Sequence, residues 1–282
     1  MIVSLKKVAV TLLIGQSRKQ KKLRKGIFHL EDKFSFAKQL IKEASLFIKN
    51  RMQDNLSVQI KSNYDDLVTN VDQETQDMMI KRILEHFPDD HILAEEDDVR
   101  HPISDGNVWV IDPIDGTVNF IVQRNHFAIM LSYFENGIGQ FGLIYDVMND
   151  QLLSGGGSYD VHLNDFTIER YHSKPLDRSL IACNSGMYLT NDKGVGNLIK
   201  HSLGVRIYGG AGISMMKVMT GELLAYISYI QPWDYAAAMV LGEKLGYVLL
   251  TLEGEKPDFE TREKVIFLPE CELEMIKNYL FK

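Results

Sequence analysis

Apolar residues recur along this chain with two periods, and the change between them divides it. From residue 31, "EDKFSFAKQLIKEASLFIKN" sets Phe34, Ala37, Leu40, Ile41, Ala44 and Phe47 on one helical face. A short extended piece, "SVQIKS", follows. "DLVTNVDQETQDMMIKRILEHFPDD" then opens a second helix, in which Thr69 and Asp72 have capping-box spacing. Val71, Thr75, Met78, Met79 and Ile83 share its apolar face, and Pro88 stops it. Between residues 91 and 153 the pattern becomes that of strands: "HILAEED", "VWVID" and "FAIMLSYFENGIGQFGLIYDVMNDQLL", with Asn136-Gly137 as a hairpin turn. The run "VWVI" is expected to end at Asp112, because strand interiors disfavour Asp and Gly and proline removes a ladder donor. "GGGSYDVHLND" reads as a turn-rich corner.

The second half mixes both periods. "SLIACNS" reads as a strand, and "GGAGISMMKVMTGELLAYISYI" as a glycine-led helix followed by a strand. "PWDYAAAMVLGEKLG" reads as a short helix from Pro232 to Gly246. No repeat, low-complexity tract or long linker interrupts the chain. Interleaved helices and strands with antiparallel pairing predict a mixed α/β layered architecture. The expected organisation is an N-terminal extension, 1–30, and one domain, 31–282, made of two αβ halves near 31–170 and 171–282.

Composition narrows the function. A chain of 282 residues that is 45% hydrophobic and 24% charged folds around a core. A net charge of -7 excludes a general nucleic-acid binder, and an acidic protein that handles anions needs cations to offset its field. Cys183 and Cys271 match no metal-binding spacing and suit a reducing cytoplasm, with a single disulfide left open. The N-terminal "MIVSLKKVAVTLLIG" is interrupted by Lys6 and Lys7 and is too short to span a bilayer. The basic "RKQKKLRKG" follows it, the reverse of a secretory signal. Residues 1–30 read as a loosely ordered extension, with a membrane-surface anchor as the other reading.

Acids stand at three places where a strand or loop meets a helix: Glu95-Glu96, Asp112 and Asp115, and Asp234 beside Trp233. Singly, each is an ordinary turn or cap residue. Brought together, the four carboxylates of Glu95, Asp112, Asp115 and Asp234 repel unless they are protonated or neutralised. With no histidine cluster or cysteine set beside them, hard, oxygen-seeking Mg²⁺ is the natural neutraliser, and metal-assisted phosphoryl chemistry follows. Gly116 lets backbone approach a phosphate closely, and Thr117 either orients a water or caps the helix it opens.

These residues carry a resemblance. "DLVTNVDQETQ", "AEED", "WVIDPIDGTVNF", "YGGAGI" and "PWDYAAA" occur in the order and with the spacing of the inositol monophosphatase family, which the chain resembles over residues 34–250. That family comprises magnesium-dependent, lithium-sensitive phosphatases of small phosphorylated alcohols. The resemblance implies an alternating αβαβα layered sandwich, a homodimer, and two or three Mg²⁺ ions per site, with lithium as an inhibitor. It implies that Glu95 binds the first metal and helps activate water, and that Asp112 bridges metals while Ile114 lends its carbonyl. Asp115 and Asp234 would hold the second metal, and Thr117, hydrogen-bonded near Glu95, would position the attacking water. The Gly116 and Thr117 amides would hold phosphate, and Gly209, Gly210, Ala211 and Asp234 would face the substrate. Asp72, with Lys61, would lie near a third ion. The implied reaction is direct displacement by water, with no covalent enzyme intermediate.

The chain also departs from that pattern. Inositol-specific members carry a glutamate a few residues before "WD"; here "AYISYIQPWD" has Ile227, Ser228 and Tyr229 instead. Losing that acceptor weakens polyol recognition by about 1–3 kcal/mol. Fructose 1,6-bisphosphate, NADP or 3′-phosphoadenosine phosphate, or a broad specificity, become alternatives. Ala94 and Ala238 replace common glycines, which motivates a second reading as a catalytically weak relative that binds a metal or phosphorylated metabolite.

Overall fold

A computed structural model describes residues 30–53, 56–61 and 67–280. The proposed extension, apart from residue 30, lies outside the described residues. The chain divides between Gln39 and Leu40 into two units. Of the first, residues 30–39 form the opening turns of helix α1, 30–51.

Two sheets and three helical layers alternate. The larger sheet has the order β3-β4-β5-β6-β7-β8-β9 and the smaller β11-β10-β12-β14-β13. In the larger sheet, β3 (His91–Ala94) runs parallel to β4 (Asn107–Asp115), and every later pair is antiparallel. The remaining strands are β5 (Ala128–Glu135), β6 (Ile138–Asp146), β7 (Gln151–Gly156), β8 (Tyr159–Leu163) and β9 (Phe166–Thr167). Asn136 and Gly137, both at positive φ (50° and 80°), close the β5–β6 hairpin with the twist that adjacent strands require. A separate short pair, β1 (Val58–Ile60) and β2 (Leu67–Thr69), precedes helix α2 (Asn70–His86). Thr69 and Asp72 form the expected capping box at its start.

Alternation along β4 sorts the layers. Val108 and Val110 face Ala236 and Val240 of α7 (Pro232–Leu245). Trp109 points the other way, stacks on Phe87 and donates to Asp90 at 2.8 Å, on the side that α2 covers. Arg51 and Glu43 of α1 pair with Glu74 and Arg82 of α2 in that outer layer. Helices α6 (Ala211–Met219) and α7 lie between the sheets, in a core that takes Met130 and Ile144 from one and Tyr226 and Phe267 from the other. The far face of the smaller sheet, made of β10 (Leu180–Cys183), β11 (Gly204–Arg206), β12 (Ala225–Ile230), β13 (Tyr247–Thr251) and β14 (Glu263–Pro269), is covered by three short helices. These are α4 (Ser185–Leu189), α5 (Val195–Lys200) and α8 (Leu273–Lys277), packed through Met187, Leu198 and Ile276. The order is therefore αβαβα, as expected.

Two expectations need correction. Strand β4 does not stop at Asp112: Asp112 pairs with Met130, the register shifts, and Asp115 pairs with Ala128. Pro113 and Ile114 occupy that irregularity, a place where a strand tolerates proline. Nor is "GGGSYDVHLND" a corner, since β7 continues to Gly156 and β8 pairs back on it. Glycines of β6 and β7 answer a packing need. A Cβ on Gly142 would lie 2.4 Å from Ala237 O, and one on Gly156 would lie 2.6 Å from Val240 O. Strands β6 and β7 thus approach the backbone of α7 closer than any side chain allows. Ala94 and Ala238 are buried and absent from the positive-φ positions, so neither strains the backbone.

Candidate active site

Four backbone devices bring distant acids to one place. The irregularity in β4 lets Asp112 and Asp115 sit in one site, and Ile114 N–H donates to Asp112 Oδ1 at 3.1 Å. Gly116, at φ 89°, then turns the chain into α3 (Thr117–Val122); a Cβ there would press on His126 O at 3.3 Å. Helix α6 points its first amides at Asp115: Ala211 N–H and Gly212 N–H donate to Oδ1 and Oδ2, each at 2.8 Å. Gly210 must be glycine-sized, because a Cβ would come within 2.9 Å of Asp115 Oδ2. Helix α7 starts at Pro232, and Asp234, its third residue, accepts from Gln231 N–H at 2.8 Å.

The result is a compact trio. One carboxylate oxygen each from Asp112, Asp115 and Asp234 lie within 4.8 Å of one another. Burial, followed by the charges of Glu95, Asp115 and Asp234, pushes the Asp112 carboxyl well above its ordinary range. Burial, with Glu95 and Asp115 adding to it, raises Asp234 to about 8. Asp115 rises to about 6 through burial, held down by the α6 amides. Among the described residues, no donor reaches Asp112 Oδ2 and no Lys, Arg or His pairs with the trio. The carboxyls of Glu95 and Asp234 beside Asp112 could donate to it only as neutral acids.

Glu95 flanks the trio. It follows β3, and its carboxylate accepts from Lys61 Nζ at 2.8 Å, while the same ammonium reaches Glu96 at 2.7 Å. Burial alone would lower the Lys61 pKa, but the two carboxylates outweigh it and raise it. Burial and the Glu95 charge raise Glu96 to about 7. Asp72 is fully buried and engaged at both oxygens, by Thr69 N–H (2.9 Å) and hydroxyl at Oδ2 and by the Thr117 hydroxyl (3.0 Å) at Oδ1. Burial, opposed by the Thr69 bonds, lifts it to about 6. The Thr117 hydroxyl therefore sits on Asp72 and, at 3.2 Å, on Ile114 O, not on Glu95.

A cavity of about 450 Å³ opens on this group. Asp115, Gly116, Thr117, Gly209, Gly210 and Ala211 line one part of it, with Glu95 and Asp234. Ala211 N–H is already engaged by Asp115, so the α6 start holds the carboxylate and Gly209 and Gly210 border the open space. Asn184, Ser185, Ile207, Ser228, Tyr229 and Arg262 form a further part of the wall. No acid replaces the missing glutamate on that wall.

Several contributors escaped sequence reasoning. Asn119 donates to Tyr208 O (2.7 Å) and His126 O (2.9 Å), tying α3 to the glycine turn before α6. Gly212 was legible only as a neighbour of named residues, and Glu96 was named among the acids without its bond from Lys61. Arg100 stacks its guanidinium 4.4 Å from the Trp233 ring centre and donates to Ala94 O, joining the Glu95 segment to the start of α7.

The donor set suits a hard divalent cation. It offers only oxygen, two of its three aspartates are buried and the third half-buried, and it holds an orphaned carboxylate oxygen that no cation among the described residues faces. Ile114 O keeps a lone pair beyond the one Thr117 uses. No helix among the described residues is long and apolar enough to cross a membrane, and both cysteines are free.

Comparison with known proteins points one way. A family model described as the inositol monophosphatase family matches residues 29–276. The inositol-1-monophosphatase of Bacillus subtilis (strain 168) is 40% identical over 240 residues, 82% of this chain and 89% of that protein. The fructose-1,6-bisphosphatase/inositol-1-monophosphatase of Thermotoga maritima is 29% identical, over 80% of this chain and 87% of its own. Among solved structures, inositol monophosphatase II from Staphylococcus aureus MSSA476 aligns at TM-score 0.79 and 31% identity, covering 88% and 92%. An IMPase/NADP phosphatase complexed with Mg²⁺ and phosphate aligns at TM-score 0.81 and 27% identity, covering 88% and 95%.

Proposed function

The chain belongs to the inositol monophosphatase family of phosphoric monoester hydrolases, and from that premise we propose that it is a Mg²⁺-dependent enzyme acting on the phosphate ester of a small polyol, sugar or nucleotide-type metabolite. The observation that carries the metal dependence is the buried aspartate trio with its orphaned Asp112 Oδ2. Asp112, Asp115, Asp234, Glu95 and the Ile114 carbonyl would hold two or three ions. When bound, those ions supply charge neutralisation for the phosphate and a lowered pKa for water.

The remaining steps belong to this chain's residues. Thr117 gives its hydroxyl proton to Asp72 or to Ile114 O, which leaves its oxygen free to accept from the attacking water and orient it. Glu95, steadied by Lys61, is the acid placed to take that water's proton. The first amides of α3, at Gly116 and Thr117, have no intrahelical acceptor and can hold phosphate oxygens. Water oxygen bonds to phosphorus as the ester P–O bond opposite breaks; the bonding pair leaves on the alkoxide, which takes a proton to give the alcohol and inorganic phosphate.

The names of the relatives support a wider substrate range than inositol phosphate, since one is also a fructose-1,6-bisphosphatase and another an NADP phosphatase. Residues 31–282 would act as one catalytic unit: the seven-stranded sheet falls in the half near 31–170 and the five-stranded sheet in that near 171–282. Homodimerisation, lithium inhibition and a cytoplasmic location belong to the same reading. The test is phosphate release from a panel of sugar, inositol and nucleotide phosphates with Mg²⁺ or with chelator. Turnover should require Mg²⁺; equal rates in chelator would overturn the metal assignment.

A further inference from the structure

The wall of the cavity carries a cation that nothing in the reaction above uses. Arg262 stands just before β14, where Glu263 pairs with Ile230 and Lys264 with Tyr229 of β12. Its Nε donates to Tyr229 O at 3.0 Å, and its guanidinium carbon lies 4.5 Å from the Tyr229 ring centre. Two contacts thus steady the head group, and only one of its five N–H donors is engaged. Among the described residues, no carboxylate lies within 4.0 Å of it and no acceptor meets its Nη groups.

The nearby acids are engaged elsewhere. Glu263 accepts from Asp258 N–H, and Asp258 accepts from the Glu260 and Thr261 amides and the Thr261 hydroxyl. Arg51 and Arg82, by contrast, each hold a glutamate. Arg262 is also the cationic residue among those that line the cavity, whose acids are Glu95, Asp115 and Asp234. The cavity therefore presents both carboxylates and a guanidinium, and among the described residues no ion pair joins them.

A monoester of a neutral polyol has its only anionic group at the acidic, metal-binding residues, and leaves this guanidinium with water alone. A planar fork of free N–H donors matches a phosphate or carboxylate instead. We infer that Arg262 is a specificity-determining residue that binds a second anionic group on the alcohol side of the substrate, so that bis-anionic esters are preferred over esters of neutral polyols. The inference rests on the phosphatase reading above. The second anion has two sources, a phosphorylated sugar or a nucleotide with a further phosphate, and both offer the same oxygens to the guanidinium.

The experiment measures kcat/KM with Mg²⁺ for three substrates: fructose 1,6-bisphosphate, adenosine 3′,5′-bisphosphate and inositol 1-phosphate. The wild type is compared with Arg262→Gln and Arg262→Lys. The ratio of either bisphosphate to inositol phosphate should fall about 10- to 100-fold in Arg262→Gln, through KM rather than kcat, and recover in part in Arg262→Lys. Which bisphosphate shows the fall identifies the source. A ratio that does not move in Arg262→Gln, or that falls through kcat, overturns the inference and leaves the phosphatase intact. No phosphate release from any of the three by the wild type would overturn both.

Discussion

Two groups of residues that line one cavity, the acids and those around Arg262, are built on opposite principles. The aspartates are locked: Asp115 by two α6 amides, Asp72 by its capping box and Thr117, Asp234 by the start of α7. Asp72, Asp112 and Asp115 are buried and Asp234 and Glu95 half-buried, and their charges are mutually unfavourable until something positive joins them. In the part of the wall around Arg262, Tyr229 is 42% exposed, Ile207 is 52% exposed, and the polar groups are neutral apart from Arg262. A site that stabilises a transition state must hold its charges fixed, whereas a site that selects an alcohol needs only a few placed contacts. The first group therefore sets the reaction and the second sets the substrate, and substitutions in each should fail differently.

The sharpest way to break that division is Asp112→Asn. It removes the carboxylate at the centre of the trio, and kcat should fall by roughly 10³-fold or more on every substrate alike. Without Mg²⁺, the variant should melt no earlier than the wild type, because it removes a buried charge whose Oδ2 has no donor. Phosphate release and calorimetry check the two halves separately. Retained activity, or a loss confined to one substrate, would end the assignment of the acids to chemistry.

A second break comes from the scaffold. Gly142→Ala would drive a methyl against Ala237 O at 2.4 Å, where only backbone can yield, and so push α7 away from the sheet. Overpacking of this kind costs about 1–3 kcal/mol. Because Asp234 rides on α7, the Mg²⁺ concentration for half-maximal rate should rise by about tenfold, with the substrate preference unchanged. Stability and Mg²⁺ titration of the variant report both effects.

This packing also marks the limit of what the sequence discloses. The capping box at Thr69 and Asp72, the hairpin at Asn136-Gly137 and the bounds of α7 at Pro232 and Gly246 were legible, because each is decided within a few residues. The acids were legible as candidates, but their convergence is a property of pairings across the chain. Strand β4 passes Asp112 because Met130 and Ala128 hold it on either side of Pro113, and no local rule contains that. Gly142 and Gly156 look like turn residues until α7 is laid on them. Arg262 sits in an ordinary charged turn, and only the β12–β14 pairing brings it over Tyr229 and into the cavity wall.

The electrostatics of the acids can be weighed without any substrate. Asp72 and Asp115 at about 6, and Asp234 at about 8, lie above the ordinary 3.8, so protonation favours the folded chain. Their stabilising effect is complete below about pH 4 and is lost as pH rises through 6 and 8. Metal-free protein should therefore melt lower at about pH 8.5 than at about pH 5.5, by roughly several degrees. Added Mg²⁺ should close that gap, since it binds the deprotonated acids. Calorimetry at both pH values, with and without Mg²⁺, decides; a metal-free protein equally stable at both would mean that the acids are not held together as described.

The smallest effect belongs to the wall around Arg262. Tyr229 supports Arg262 through its carbonyl, which any residue supplies, and through its ring, which only an aromatic supplies. Tyr229→Phe keeps both and should leave the preference for bisphosphates unaltered. Tyr229→Ala keeps the carbonyl and loses the ring, and an exposed cation–aromatic contact of this kind corresponds to a change of about 2- to 5-fold in the kcat/KM ratio. A guanidinium held by one bond still reaches an anion, but with more orientations to give up on binding. Equal ratios in the Phe and Ala variants would show that the carbonyl alone positions Arg262, whereas a fall in inositol phosphate turnover as large as in bisphosphate turnover would make Tyr229 part of the common frame and erase the distinction between the two groups.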